Sequence, residues 1–217
     1  LKSLDNTSTF PGDSLTIEGG GKAQFRGRQE LGHLTTIDNL ILTGGTEANF
    51  VNLSAGTRTD TTNHLAGRIT NDGFTKLLGY GNATGPRNMR ISSVIAGDGT
   101  LHCSGTAAYP HTSIIDHPSN TFAGVWQSHV GTLVFENAGA VGTASIEVLD
   151  AGSLVIEGDW DQSTNGASLA VSDSATAQVD LGSYTWTVFN ATVGATALVD
   201  GTYSVADLNA MSAAVFG

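Results

Sequence analysis

The chain has 217 residues, of which 28 are glycine and only 13% are charged, and nine Lys and Arg stand against twenty Asp and Glu for a formal charge of −11. A nucleic-acid binder needs clustered cations to displace the counterions of phosphates. An anionic membrane or a polyanionic glycan asks for the same sign of charge, so none of these is expected as a partner, and the length suits a single domain over residues 1–217.

Near the start, Ser14-Leu15-Thr16-Ile17-Glu18-Gly19 makes a short phrase that returns as Ser153-Leu154-Val155-Ile156-Glu157-Gly158. Looser versions lie between them: Gly99-Thr100-Leu101-His102-Cys103-Ser104-Gly105 and Gly131-Thr132-Leu133-Val134-Phe135-Glu136-Asn137. Residues two apart in a strand share a face. Each phrase therefore predicts a brief strand with one buried face and a corner after it. The first strands are predicted at 15–18, 22–26, 34–42 and 48–53, separated by Gly19-Gly20-Gly21, Gly27 and Gly44-Gly45. Residues 54–90 hold Arg58, Arg68, Lys76, Arg87 and Arg90 with few apolar residues, and read as a loop excursion. Strands resume at 89–95 and 100–103, and residues 106–120, with Tyr109, His111 and His117, read as a second excursion. Regular strands are then predicted at 132–136, 145–149, 153–157, 168–171, 177–181 and 185–189. Ser204, with Asp207 three residues later, has the spacing of a capping box and predicts one short closing helix.

Many short strands with almost no helical periodicity imply a chain that coils and stacks on itself. The expected fold is an all-β, right-handed parallel β-helix with a short C-terminal helical cap, which would cover the open end of the stack. The single Cys103 excludes an intrachain disulfide, and its neighbour His102 does not make a zinc spacing. No apolar run reaches membrane-spanning length. The chain opens at Leu1 without a leader and reads as a segment of a longer, exported bacterial polypeptide, secreted or held at the cell surface.

The stretch Asn120-Thr121-Phe122-Ala123-Gly124, followed by Gly131-Thr132-Leu133-Val134-Phe135 and Gly139, resembles the passenger-type repeat of bacterial right-handed β-helices. The tail Asp200-Gly201-Thr202-Tyr203-Ser204-Val205-Ala206-Asp207-Leu208-Asn209 resembles the closing element of exported bacterial repeat proteins. In fold, size and charge the whole chain is similar to the β-helical carbohydrate-binding modules attached to xylan-degrading glycoside hydrolases. That resemblance implies binding to plant cell-wall polysaccharide, xylan first, without catalysis, in service of a catalytic domain tethered in the same polypeptide. The passenger-type repeat implies a structural or adhesin passenger instead.

Sugar recognition uses aromatic faces against pyranose C–H groups, with carboxylates, amides and imidazoles bonding the hydroxyls. Glu157-Gly158-Asp159-Trp160-Asp161-Gln162 offers an indole at a corner between two carboxylates, and an unpaired carboxylate resists burial. Trp160 and Trp126 are the candidate stacking platforms, with Asp159, Asp161, Gln127, Tyr109, His111 and His117 as hydrogen-bonding partners. Trp126 shares a strand face with Ser128, which alternation can turn inward. The enzymatic alternative is a polysaccharide lyase or glycoside hydrolase. A hydrolase sets two carboxylates about 5–9 Å apart across a sugar, which Asp159 and Asp161 do not obviously do. A lyase generally needs clustered acids for calcium, and none repeats here. No catalytic residue, metal ligand or cofactor is assigned, although a structural calcium remains open.

Overall fold

Alternation decides which side chains this backbone hides. In the segment from His111 to Ile115, residues 111, 113 and 115 are buried while 112 and 114 look outward. A computed structural model describes residues 7–26, 33–44, 49–54, 62–78, 87–105 and 111–217. In chain order its strands are β1 (Thr7–Thr9), β2 (Leu15–Ile17), β3 (Lys22–Arg26), β4 (Leu34–Leu42), β5 (Asn49–Ser54), β6 (Thr62–Asn71), β7 (Phe74–Leu78), β8 (Arg87–Ile91), β9 (Val94–Ala96), β10 (Thr100–Ser104) and β11 (His111–Ile115). They continue as β12 (Val125–His129), β13 (Gly131–Phe135), β14 (Ser145–Val148), β15 (Gly152–Ile156), β16 (Trp160–Asp161), β17 (Ser168–Val171), β18 (Gln178–Asp180), β19 (Trp186–Thr187), β20 (Asn190–Val193), β21 (Thr196–Ala197) and β22 (Val215–Phe216). The one α-helix among the described residues, α1 (Val205–Met211), precedes β22.

These strands stack into a parallel β-solenoid. One sheet runs β1-β4-β6-β8-β11-β13-β15-β18-β22, and a second runs β3-β5-β7-β10-β12-β14-β17-β20-β21. Among the described residues every pairing is parallel except the last, where β21 folds back antiparallel on β20. A third side includes β2 and β9 beside the later halves of β4 and β6. It continues through the bonds from Thr121 N–H to Ile95 O and from Thr143 N–H to Phe122 O, both 2.9 Å, and closes with β16 on β19. Stacking aligns like with like: Leu133 lies over Leu154, and Phe135 over Ile156.

The corners are narrow. A Cβ on Gly99 would come within 2.3 Å of Gly73 O, and one on Gly124 within 1.9 Å of Gly99 O, so this corner requires glycine in successive coils. Ala144 and Ala167 take the equivalent positions further along, both buried. Inside the rod, Asn120 ties three coils together: its Oδ1 accepts from Ile95 N–H at 2.8 Å and its Nδ2 donates to Ala140 O at 2.8 Å.

The described residues of the excursion expected over 54–90 are largely sheet. β6 and β7 occupy 62–71 and 74–78, with Leu65, Ile69 and Leu77 in the core. The apolar pattern is faint because Asn63, Asn71 and Thr75 also point inward. Asn71 and Thr75 satisfy each other through a 2.8 Å bond from Thr75 Oγ1 to Asn71 Oδ1. The excursion expected over 106–120 likewise contains β11. The predicted cap is present as α1: Ser204 Oγ accepts from Asp207 N–H, and the Asp207 carboxylate accepts from Ser204 N–H, a complete capping box.

Candidate functional site

The two indoles expected to face a polymer are sealed inside the rod. Trp126 is 0% exposed and Trp160 only 1%. Trp126 lies edge-on between Phe122 and Phe135, at centroid distances of 5.1 and 5.2 Å, and its Nε1–H donates to Val141 O at 3.0 Å. Trp160 meets Trp186 edge-on at 5.9 Å. Neither can offer a face to a sugar, which overturns their assignment as stacking platforms. The reason is the period of the strand. Asp159 and Asp161 are one residue from Trp160, so their carboxylates turn outward while the indole turns in. Flanking charge therefore says nothing against burial here.

Those carboxylates have structural tasks. Asp159 Oδ1 accepts from Thr185 N–H at 2.9 Å, joining its coil to the next. Asp161 Oδ1 accepts from Ser163 Oγ–H at 2.7 Å and from Ser163 N–H at 3.0 Å, bonds that hold its carboxyl below the usual carboxylate range. His111 is also turned inward, 1% exposed, with its Nε2 2.8 Å from Ser113 Oγ, so it is not a surface hydrogen-bonding group. His117 sits half-buried at a turn, where its Nδ1 accepts from Ser119 N–H at 3.2 Å. Tyr109 lies outside the described residues. The expected constellation is thus divided among the core, the third side and the outer face of the second sheet.

Gln127 is the expected residue that does look outward there, and it belongs to a lengthwise row. Register places Lys76, His102, Gln127 and Glu147 on successive coils. Gln127 Oε1 lies 3.0 Å from His102 Nδ1, and Gln127 Nε2 donates to Glu147 Oε2 at 2.7 Å. Crossing this row is a diagonal of rings from Phe74 through His102 to His129, each step 5.6 Å between centroids. Burial holds the His102 imidazole below its ordinary pKa, against the Gln127 bond, which favours the charged form. Sequence reading missed the row because its members are about a coil apart, and only the register brings them together.

On the first sheet the corresponding feature is Arg90. Its guanidinium donates to Asp116 Oδ2 at 2.8 Å and to both Glu136 oxygens, at 2.7 and 2.5 Å, stapling three coils. These bonds raise its pKa further above the ordinary guanidinium value, Glu136 contributing most. His64, aligned with Arg90 on the preceding coil, is held below the ordinary imidazole value, first by burial and then by the Arg90 charge.

The remaining chemistry is muted. Cys103 is buried beside Ser113, and burial pushes its thiol up to about 12, far from a nucleophilic thiolate. An open concavity of about 360 Å³, bordered by Glu147, Ala170, Asp173 and Thr192, contains none of the expected binding residues. Among the described residues, no group of three or more His, Cys, Asp or Glu is placed to hold a metal ion. No family model, no curated protein and no solved structure matches this chain.

Proposed function

We propose that this chain is a structural β-solenoid, the stalk or passenger segment of an exported bacterial protein, which holds what it joins at a fixed separation. One observation carries the reading: outward polar side chains are spent on one another along the rod axis. His102–Gln127–Glu147 and Arg90–Asp116–Glu136 each tie three successive coils. Bonds of this kind stiffen a stack whose coils otherwise touch only their neighbours. The test is retardation of the isolated segment in gels containing xylan, glucan or pectin, alongside single-molecule stretching. A spacer migrates unretarded in all three gels and resists force in several steps. Collapse at low force in one step would refute it.

A second reading, non-catalytic binding of a neutral plant polysaccharide such as xylan on behalf of a tethered glycoside hydrolase, is favoured by the Phe74–His102–His129 diagonal. Phe74 and His129 are partly exposed there, with the Gln127 amide and Glu147 carboxylate alongside. Retardation in xylan that disappears in Phe74→Ala, with the melting temperature retained, would establish this reading. The same retardation in wild type and Phe74→Ala would remove this face from consideration.

A further inference from the structure

Charge is divided unevenly along the chain. All nine Lys and Arg lie at or before Arg90, whereas residues 91–217 hold twelve of the twenty Asp and Glu. The later coils therefore carry a field of one sign, which draws cationic groups and is damped by salt. One line of outward side chains on these coils is apolar. The outward residues of β11 are Thr112 and Ile114, those of β13 are Thr132 and Val134, and those of β15 are Ser153 and Val155, all half-buried. Register stacks Ile114, Val134 and Val155 on successive coils.

This strip is flanked on both sides. Thr112, Thr132 and Ser153 line up along one. Along the other stand Asp116, Glu136 and Glu157, each two residues past a member of the strip and so on the same face. Glu136 N–H donates to Ile115 O at 3.0 Å and Glu157 N–H to Phe135 O at 2.8 Å, which carries the coil register through the acidic row. Asp180 follows Val155 at the end of the strip. Arg90, aligned with Ile114 from the preceding coil, neutralises part of the row through Asp116 and Glu136. Among the described residues, Glu157 and Asp180 have no ion-pair partner.

We propose that this face of the first sheet seats a basic amphipathic helix of a partner protein, with its apolar stripe on Ile114, Val134 and Val155 and its Lys or Arg beside Glu157 and Asp180. Charge complementarity selects a basic partner, and pitch selects a helix. Coils repeat about every 4.8 Å, one face of an α-helix repeats about every 5.4 Å, and one face of an extended strand about every 6.7 Å. Over three coils a helix running along the rod drifts by roughly 1 Å and a strand by roughly 4 Å. A second copy does not supply this helix, because α1 contains Asp207 and no Lys or Arg. The inference does not rest on the spacer reading: a rod that stretches in steps but ignores a basic helix loses the seat alone.

The probe is a fluorescein-labelled peptide of Leu and Lys patterned for one apolar helical face, titrated by anisotropy beside a Leu and Glu peptide of the same pattern. The basic peptide is expected to saturate at low salt and to weaken at least ten-fold near 1 M salt, where screening acts beyond about 3 Å. Val134→Lys is expected to weaken it about ten-fold and Glu157→Gln about three-fold, while Asp200→Asn, the same loss of charge in the tail, leaves it unchanged. Circular dichroism checks each variant, and should Val134→Lys lose its β spectrum, Val134→Thr decides by the same readout with an expected loss of about three-fold. No saturation, or equal binding of the acidic peptide, overturns the proposal. Equal losses in Glu157→Gln and Asp200→Asn would leave a diffuse field without a seat and also overturn it. Sedimentation without peptide showing a wild-type dimer that Val134→Lys disperses would overturn the choice of occupant in favour of a second copy.

Discussion

The coils around Trp126 and those around Trp160 bury an indole equally well but treat its polar atom differently. Trp126 sits between two phenyl rings and delivers its N–H to Val141 O. Among the described residues Trp160 has one aromatic partner, Trp186, and neither indole nitrogen of that pair has a hydrogen-bond acceptor, although both nitrogens are buried. A buried donor without a partner costs about 1–3 kcal/mol. The indole in the middle of the rod is therefore packed and satisfied, while the pair in its last coils is packed with both N–H groups unsatisfied. The exposed Tyr184 and Phe189 belong to the same late region. Burial alone does not measure how firmly a residue is held.

Substitutions can break that comparison. The largest effect is expected from Trp126→Ala, which empties the space between Phe122 and Phe135 and should cost about 3–5 kcal/mol in urea unfolding. Trp126→Phe and Trp160→Phe sharpen it: the first strands Val141 O, whereas the second removes a donor that had no acceptor. Trp126→Phe should be the more destabilising of the two by about 1–3 kcal/mol, and equal losses would mean that the hydrogen bond contributes nothing.

Acid should weaken the middle coils through their histidines. His64 and His102 both lie below the ordinary imidazole value of 6.5 in the folded chain, so the unfolded chain binds protons more readily. Stability is full above that value and declines as the pH falls through the folded pKa values. Denaturant midpoints at pH 7.5 and 5.5 check the sign, and His102→Gln should flatten the slope.

The smallest effect is expected at Arg90. Its side chain is 24% exposed, so replacing it with Met should cost about 1 kcal/mol or less and fade in high salt. A loss that persists in high salt would assign the residue a packing role instead.

Much of the solenoid was written in the sequence, because an outward–inward alternation followed by glycine can be read without a structure. The capping box at Ser204 and Asp207 was equally legible, since both partners lie within one helical turn. Strands β6 and β7 were not legible, because a coil interior that accepts Asn63, Asn71 and Thr75 no longer looks apolar. Trp160 was misread through its neighbours: adjacent residues of a strand occupy opposite faces, so the two aspartates described the outside only. For Trp126 the alternation with Ser128 did point inward, and both residues are 0% exposed. The rows through Gln127 and Arg90 depend on coil lengths, with partners 25 and 20 residues apart at Gln127 and 26 and 46 at Arg90. No fixed spacing in the sequence announces them.

Asn120 gives the rod a mechanical grain. Because one amide grips the backbone of both the preceding and the following turn, detaching any one of the three loosens the other two. Peeling from either tip should stall at this knot, and slow amide exchange should mark it as a shared boundary between the two halves.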